Sequence, residues 1–312
     1  MPHTHSQWLE ISVRVNGEAA EAVAEVLTRY APQGVVFNLD PEKGAHAPVT
    51  VKAYLAVDEA LERRKREIEI ALGHLSHIWS AIPEPTFRVL PDQDWMAQWK
   101  DQIPVLHLGK RIVIKPSWRE YVPTPGEIVL EMDPGLAFGT GLHPTTRLCV
   151  SAIEQVLEPG MSVLDLGTGT GILAMVAARL GAGRVLAVDH DENAVVAARR
   201  NIHANHLAGE IEVRHGSLKD ITSRYDLVVA NILAPVIIEM AHNGLATRVE
   251  PGGTLIVSGI LEEQAQEVVD TLHAVGLEWV DTQGEEEWVA ILLQRSGGAL
   301  NGQARVAAWP VR

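Results

Sequence analysis

The chain has 312 residues, about two domains at the usual size of roughly 100 to 200 residues each, and 46% of them are hydrophobic, enough to fill two cores. It carries 40 Asp and Glu against 26 Lys and Arg, a net charge of −14, so its field repels phosphate backbones and the usual electrostatic term of unspecific nucleic-acid binding is missing. The one cysteine, Cys149, excludes an internal disulfide and a cysteine-built zinc site.

The start of the chain has neither the basic region nor the apolar run of a signal peptide, and no apolar stretch approaches the ~18 residues of a membrane span. A soluble, cytoplasmic protein is expected. His3 and His5 are read as solvated residues of a polar terminus, not as metal ligands. Residues Trp8 to Val15 alternate apolar and polar, as a strand does, and Gly17 to Tyr30 spaces Ala20, Val23, Ala24 and Leu27 as a helix does. Two strands follow, Val35 to Leu39 and Val49 to Leu55, around a Pro-Glu-Lys-Gly turn. Then come a charged helix from Asp58 to Leu75, capped by Asp58, and a strand from Thr86 to Leu90. The order βαββαβ predicts a small ferredoxin-like α+β domain over residues 1–90.

Residues 91–125 mix prolines and aromatics, Trp95, Trp99 and Trp118 among them, with a short strand from Arg111 to Lys115; they read as a connector packed against its neighbours. A helix is expected from Ser151 to Leu157. Strands and helices then alternate: strand Ser162 to Leu166, helix Ile172 to Leu180, strand Arg184 to Asp189, helix Glu192 to Asn205, strand Ile211 to His215. Strand Tyr225 to Ala230, helix Ala234 to Ala241, strand Thr254 to Ser258 and helix Glu262 to Ala274 continue the pattern. Leu277 to Gln283 and Trp288 to Gln294 close it as an antiparallel edge. Buried strands alternating with helices imply an α/β domain, a mostly parallel seven-stranded sheet covered on both faces, over residues 126–295. The glycine- and alanine-rich residues 296–312 read as a mobile tail.

In such sheets ligands bind at the carboxyl ends of the strands, where the strand order reverses. Here the first strand ends in Asp165-Leu166-Gly167-Thr168-Gly169-Thr170-Gly171, alternate glycines that let backbone approach a ligand and feed a helix N-terminus. Eighteen residues beyond Gly171 the next strand ends in Asp189, placed to accept hydrogen bonds from both ribose hydroxyls, while Asp191 is available to cap the following helix. A nicotinamide dinucleotide would share both features, but its third small residue falls on Ile172, and the shifted frame Gly169, Gly171, Ala174 starts two residues late. With Asp165 before the glycines and no second phosphate site, the cofactor implied is S-adenosylmethionine.

The strand at Val228 ends in Asn231-Ile232-Leu233-Ala234. The carbonyl of an asparagine, with the backbone carbonyls that follow, accepts from a substrate N–H and aims its lone pair at a methyl group; as the plainer alternative, Asn231 caps the next helix. The loop from Asp133 to Thr146, with three glycines and Phe138, reads as a lid in which Phe138 excludes water and threonine hydroxyls reach the methionine end. His143 is a candidate general base, with the holding of a turn as its plainer role.

These residues together resemble the ribosomal protein L-eleven methyltransferases, over about Trp8 to Gln294. The most specific stretch is Asp133 to Thr146, followed by the glycine turn, Asp189 and Asn-Ile-Leu-Ala; Asp94-Trp95 to Trp99, Gly109-Lys110-Arg111 and Pro116-Ser117-Trp118 match the family's connector. The resemblance implies a class I Rossmann-like catalytic domain preceded by a domain that grips the ribosomal protein. It further implies transfer from S-adenosylmethionine to lysine ε-amines and the N-terminal amine, and cofactor-contact roles for Thr146, Gly167, Asp189 and Asn231; Gly169 and Phe138 join them on the reading above. A large-subunit ribosomal protein is the expected partner, with no nucleic acid, membrane or metal required, and a monomer is expected. Leu142 stands where the family usually has threonine, the glycine turn carries threonines where cysteine and serine are common, and the tail exceeds the usual end. Another protein lysine or a small amine is the alternative substrate.

Overall fold

The structure, a computed structural model, describes residues 8–15, 17–31, 35–38, 49–75, 82–90, 104–133, 141 and 143–296. The chain divides into two units: residues 1–105 with 116–120 and 132–138, and residues 106–115 and 121–131 with 139–312.

In the first unit, β1 (Trp8–Val15) buries Leu9, Ile11, Val13 and Val15 on one face and turns Glu10, Ser12 and Arg14 to the other. It lies between β3 (Val49–Ala56) and β4 (Thr86–Leu90), and β2 (Val35–Asn38) flanks β3, giving the antiparallel order β2-β3-β1-β4. Helix α1 (Gly17–Tyr30) and helix α2 (Leu61–Leu75) lay Ala20, Val23, Ala24, Leu27, Ile68 and Leu72 on the face of Ile11, Val51 and Leu55. On the other face the Glu10 carboxylate accepts from Lys52 Nζ and Tyr54 OH, each at 3.1 Å. The element order is thus βαββαβ. Helix α2 starts three residues after the expected Asp58, because Asp58 first closes a turn by accepting from the Ala60 amide at 2.9 Å.

In the second unit, β5 (Leu106–Leu108), β6 (Ile112–Lys115) and β7 (Ile128–Glu131) form a three-stranded sheet, so part of the stretch read as connector pairs with the residues that follow it. The main sheet comprises β8 (Ser162–Leu166), β9 (Arg184–Asp189), β10 (Ile211–His215), β11 (Tyr225–Asn231), β12 (Val249–Leu261), β13 (Leu277–Glu285) and β14 (Trp288–Arg295). Its order is β10-β9-β8-β11-β12-β14-β13, parallel except for β14, which runs against both its neighbours. Counted within the sheet this reads 3-2-1-4-5-7-6, the class I methyltransferase fold, with its switch point between β8 and β11.

The helices are α3 (Pro144–Val156), α4 (Ile172–Arg179), α5 (Glu192–Ala204), α6 (Ala234–His242) and α7 (Ala265–Ala274). Helix α3 begins at Pro144, not at the expected Ser151. Proline suits the first helical position, and His143 supplies the cap, its Nδ1 accepting from the Thr145 amide at 3.2 Å. Strand β12 starts at Val249, ahead of the expected Thr254, and runs through Pro251-Gly252-Gly253, since an irregularity in its pairing with β11 absorbs them. A short 3-10 turn at Glu262–Gln264 precedes α7. No helix among the described residues is long and apolar enough to cross a membrane.

Candidate active site

The parallel strands bring three of the sequence-picked segments to one end of the sheet: the loop after β8, the end of β9 and the end of β11. Val229 pairs with Asp165 and Ala230 with Leu166, so Asn231 stands across the switch point from Gly167. Gly167, Gly169 and Gly171 all adopt left-handed backbone, with φ of +71°, +55° and +83°. At Gly167 the absence of a side chain is also required by space, because a Cβ would meet Ile232 Cγ2 at 2.6 Å.

Four of the loop amides are committed within the protein. Gly167 and Thr168 donate to the Val188 carbonyl at 2.8 and 3.1 Å, Gly171 donates to the Thr168 carbonyl, and Gly169 donates to Asp189 Oδ2 at 2.9 Å. Asp189, 7% exposed, also accepts from the Asp191 amide at 3.0 Å through Oδ1. Its carboxylate is therefore oriented from two sides, with lone pairs to spare for hydroxyl donors. Asp191 caps α5 by accepting from the Asn193 amide at 2.9 Å.

Asn231 does not cap α6; that position is Leu233. Its Oδ1 is buried without a hydrogen-bond partner, and so are Thr146 Oγ1 in the first turn of α3 and Asp165 Oδ1. A buried polar group left unpaired costs about 1–3 kcal/mol, so these atoms fit bound molecules with N–H and O–H donors; S-adenosylmethionine carries such donors on its amino and ribose groups, and an amine substrate carries N–H. His143 holds the α3 terminus: Nδ1 lies 2.6 Å from Thr145 Oγ1 and the ring stands edge-on to Trp288, centroids 4.8 Å apart. Phe138, Leu142, Trp95, Trp99, the Pro-Glu-Lys-Gly turn, His3, His5 and the tail beyond Ser296 lie outside the described residues. Among the described residues no group of three or more His, Cys, Asp or Glu is placed to hold a metal. A shallow depression of about 400 Å³ between Ala182 and Glu212 lies at the amino ends of β9 and β10, the opposite end of the sheet from these residues.

Sequence reasoning missed two buried asparagines. Asn201 Nδ2 donates to the Thr170 carbonyl at 2.9 Å and fixes the glycine loop on α5. Asn205 takes the Glu131 amide on its Oδ1 at 2.8 Å and gives Nδ2 to the Glu131 carbonyl at 2.7 Å, standing in for a strand beside β7. Only the place of Asn201 on the inward side of α5, and of Asn205 at its C-terminal cap, could have signalled them.

Asp165 ties the loop to its helix, with Oδ2 accepting from Thr168 Oγ1 at 2.6 Å and from the Ala174 amide at 3.1 Å. Burial pushes its carboxyl up to about 6; the Asp189 charge adds to the rise and the two hydrogen bonds oppose it. The fold thus favours the protonated form relative to an unfolded value of about 3.9, so this group's contribution to stability is complete below about pH 4 and is lost as pH rises through about 6. Asp165→Asn removes that dependence. Its stability relative to wild type, from denaturant unfolding, is expected to rise by up to about 3 kcal/mol between pH 4 and 7; unfolding curves that keep a constant separation over that window contradict the assignment.

The family model for Ribosomal protein L11 methyltransferase (PrmA) matches residues 7–296. The chain belongs to this family. A ribosomal protein L11 methyltransferase of Chloroflexus aurantiacus is 42% identical over 93% of this chain and 98% of its own length, and that of Pelobacter propionicus is 40% identical over 94% and 99%. A crystal structure of ribosomal protein L11 methylase from Lactobacillus delbrueckii subsp. bulgaricus superposes with a TM-score of 0.58 at 32% identity, covering 62% of this chain and 98% of that one. This member of the L11 methyltransferase family is accordingly a methyltransferase, and its methyl donor is S-adenosylmethionine.

Proposed function

We propose that the chain methylates lysine ε-amines, and the N-terminal amine, of ribosomal protein L11. The observation that carries this reading is the buried, unpartnered Asn231 Oδ1 at the switch point. An acceptor there suits a nucleophile that carries N–H, and with the family's name it selects an amine. A free lysine amine, with a pKa near 10.4, is neutral in only about one molecule in 2,500 at pH 7, so proton loss must precede attack.

Bound S-adenosylmethionine supplies a methyl group on a positively charged sulfur, which a neutral amine displaces. The chain's residues arrange the encounter. Asp189 accepts from the ribose hydroxyls, Gly167 and Gly169 let the loop lie close, and Thr146 faces the amino-acid end. Asn231 accepts an amine N–H and so turns the lone pair toward the methyl carbon. Phe138, on the lid segment, shields the site from water. His143, with Nδ1 committed to the α3 cap, is assigned to holding that terminus, and the amine proton leaves to solvent; burial next to a cation already favours the neutral amine.

Residues 1–90, the βαββαβ part of the chain, are assigned to gripping the ribosomal protein as a ferredoxin-like recognition domain; residues 91–125 connect, residues 126–295 catalyse, and residues 296–312 form a tail. Net charge of −14 suits a cationic protein partner and makes nucleic acid or a membrane unnecessary. A cytoplasmic location fits the single cysteine, and the chain is taken as a monomer. To test the substrate, the purified chain is incubated with ribosomal protein L11 and labelled S-adenosylmethionine, and the methyl groups are located by peptide mass spectrometry. Label on lysine side chains and the N-terminus is expected; label confined to other residue types sinks the amine assignment, and label only on other proteins sinks the partner.

A further inference from the structure

Strand β12 carries an irregularity at the same end of the sheet as Asn231. Its pairing with β14 shifts register between Val257 and Ile260, and Gly259, inside that shift, has φ of +81°. Ser258 pairs with Asn231, its carbonyl accepts from the Ile232 amide at 3.0 Å, and its own Oγ donates to the Val289 carbonyl at 2.8 Å. The bulge is therefore anchored on both sides.

Gly259 faces the Ile232 peptide directly. A Cβ there would stand 2.5 Å from the Ile232 carbonyl oxygen, 2.8 Å from its carbon and 3.0 Å from its nitrogen. All three are backbone atoms and cannot rotate aside as a side-chain tip can. The Ile232 side chain is hemmed in at Gly167, on the other neighbour of β11, where a Cβ would meet it at 2.6 Å. Two glycines thus hold the residue that follows Asn231.

We propose that Gly259 is a positioning residue for methyl transfer, acting through the Ile232 peptide on Asn231. The inference rests on the assignment of Asn231 to the substrate amine. Relieving the contact in Gly259→Ala requires the Ile232 peptide to move by roughly 0.7 Å, and a displacement near 1 Å at a reacting centre costs on the order of 100-fold in rate. Gly252 supplies the control. It lies in the same strand with φ of +83°, but a Cβ there meets nothing within 4 Å, so Gly252→Ala carries the left-handed strain without the displacement.

The test compares wild type, Gly259→Ala, Gly252→Ala and Asn231→Ala in the full chain, reading total methyl transfer to ribosomal protein L11, cofactor Kd by calorimetry and thermal midpoint. Both glycine variants should lose thermal stability. Gly259→Ala alone is expected to lose kcat, by about 50- to 100-fold, with cofactor Kd within about threefold and Gly252→Ala within about twofold of wild-type kcat. Near-normal kcat in Gly259→Ala, or an equal loss in Gly252→Ala, overturns the proposal. If Asn231→Ala keeps full kcat, the Asn231 assignment fails and the proposal with it; if Asn231→Ala is crippled while Gly259→Ala is not, only the proposal fails. Should Gly259→Ala not fold, Ile232→Gly decides, because it removes the side chain hemmed in at Gly167 and so opens the other side of the clamp on the same peptide: about tenfold or greater loss of kcat at unchanged cofactor Kd supports the clamp, and unchanged kcat overturns it.

Discussion

Asn231→Ala is expected to lower kcat by about 100- to 1,000-fold, roughly 2.7–4 kcal/mol of transition-state stabilisation, while cofactor Kd changes by less than about tenfold. The size follows from what the side chain does. Its Oδ1 is buried and unpartnered, so its hydrogen-bonding capacity is spent on nothing within the protein. An acceptor held at the end of a central strand also loses little entropy on engaging an amine. Asn231→Asp keeps an oxygen in place and is expected to retain more activity than alanine, which separates loss of the acceptor from collapse of the strand end. Single-turnover measurement with saturating cofactor reads the chemical step; equal rates for wild type and alanine would remove Asn231 from the reaction.

Asp189→Ala is expected to act on binding instead. Hydrogen bonds to a charged acceptor contribute about 1.5–3 kcal/mol each, and loss of a ribose pair, partly offset by water, raises cofactor Kd by about 100-fold. The same change strands the amides of Gly169 and Asp191, so the folded state is expected to lose about 1–2 kcal/mol as well. Asp189→Asn is not expected to rescue affinity: one of its two positions would present NH2 to a backbone N–H that already donates there. Titration calorimetry checks both variants, and unchanged affinity in Asp189→Ala would move the nucleoside elsewhere.

The part that forms the seven-stranded sheet was the more legible in the sequence because its strands are buried on both faces. Ser162–Leu166, Arg184–Asp189 and Tyr225–Asn231 are near-continuous apolar runs, each closed by a polar or glycine residue at its carboxyl end, and those closing residues are the candidate site. Strands Leu106–Leu108 and Ile128–Glu131 were not legible: three or four residues give no period, and Ile128–Glu131 finds its parallel partner, Ile112–Lys115, only across an intervening loop. The early start of α3 escaped because two β-branched threonines and a histidine cap imitate a loop, whereas the tertiary contacts of Thr145 and Thr146, both fully buried, decide for helix. Hydrogen-bond bookkeeping is a further layer that sequence cannot carry. Nothing in Gly-Thr-Gly-Thr-Gly says that four of its amides are already engaged, or that the open valences lie on Thr146, Asp165 and Asn231. The glycine after Ser258 did offer a signal, an isolated glycine in a strand pattern, which marks a bulge or a close backbone approach.

The central claim, that Asp189, Asn231 and the glycine loop form one methyl-transfer site, is tested most directly by a crystal structure of the chain with S-adenosylhomocysteine. The account predicts both ribose hydroxyls within hydrogen-bond distance of the Asp189 carboxylate, and the sulfur facing the Asn231 carboxamide across the loop at Gly167. A ribose bound away from Asp189, or a sulfur turned away from Asn231, would contradict it.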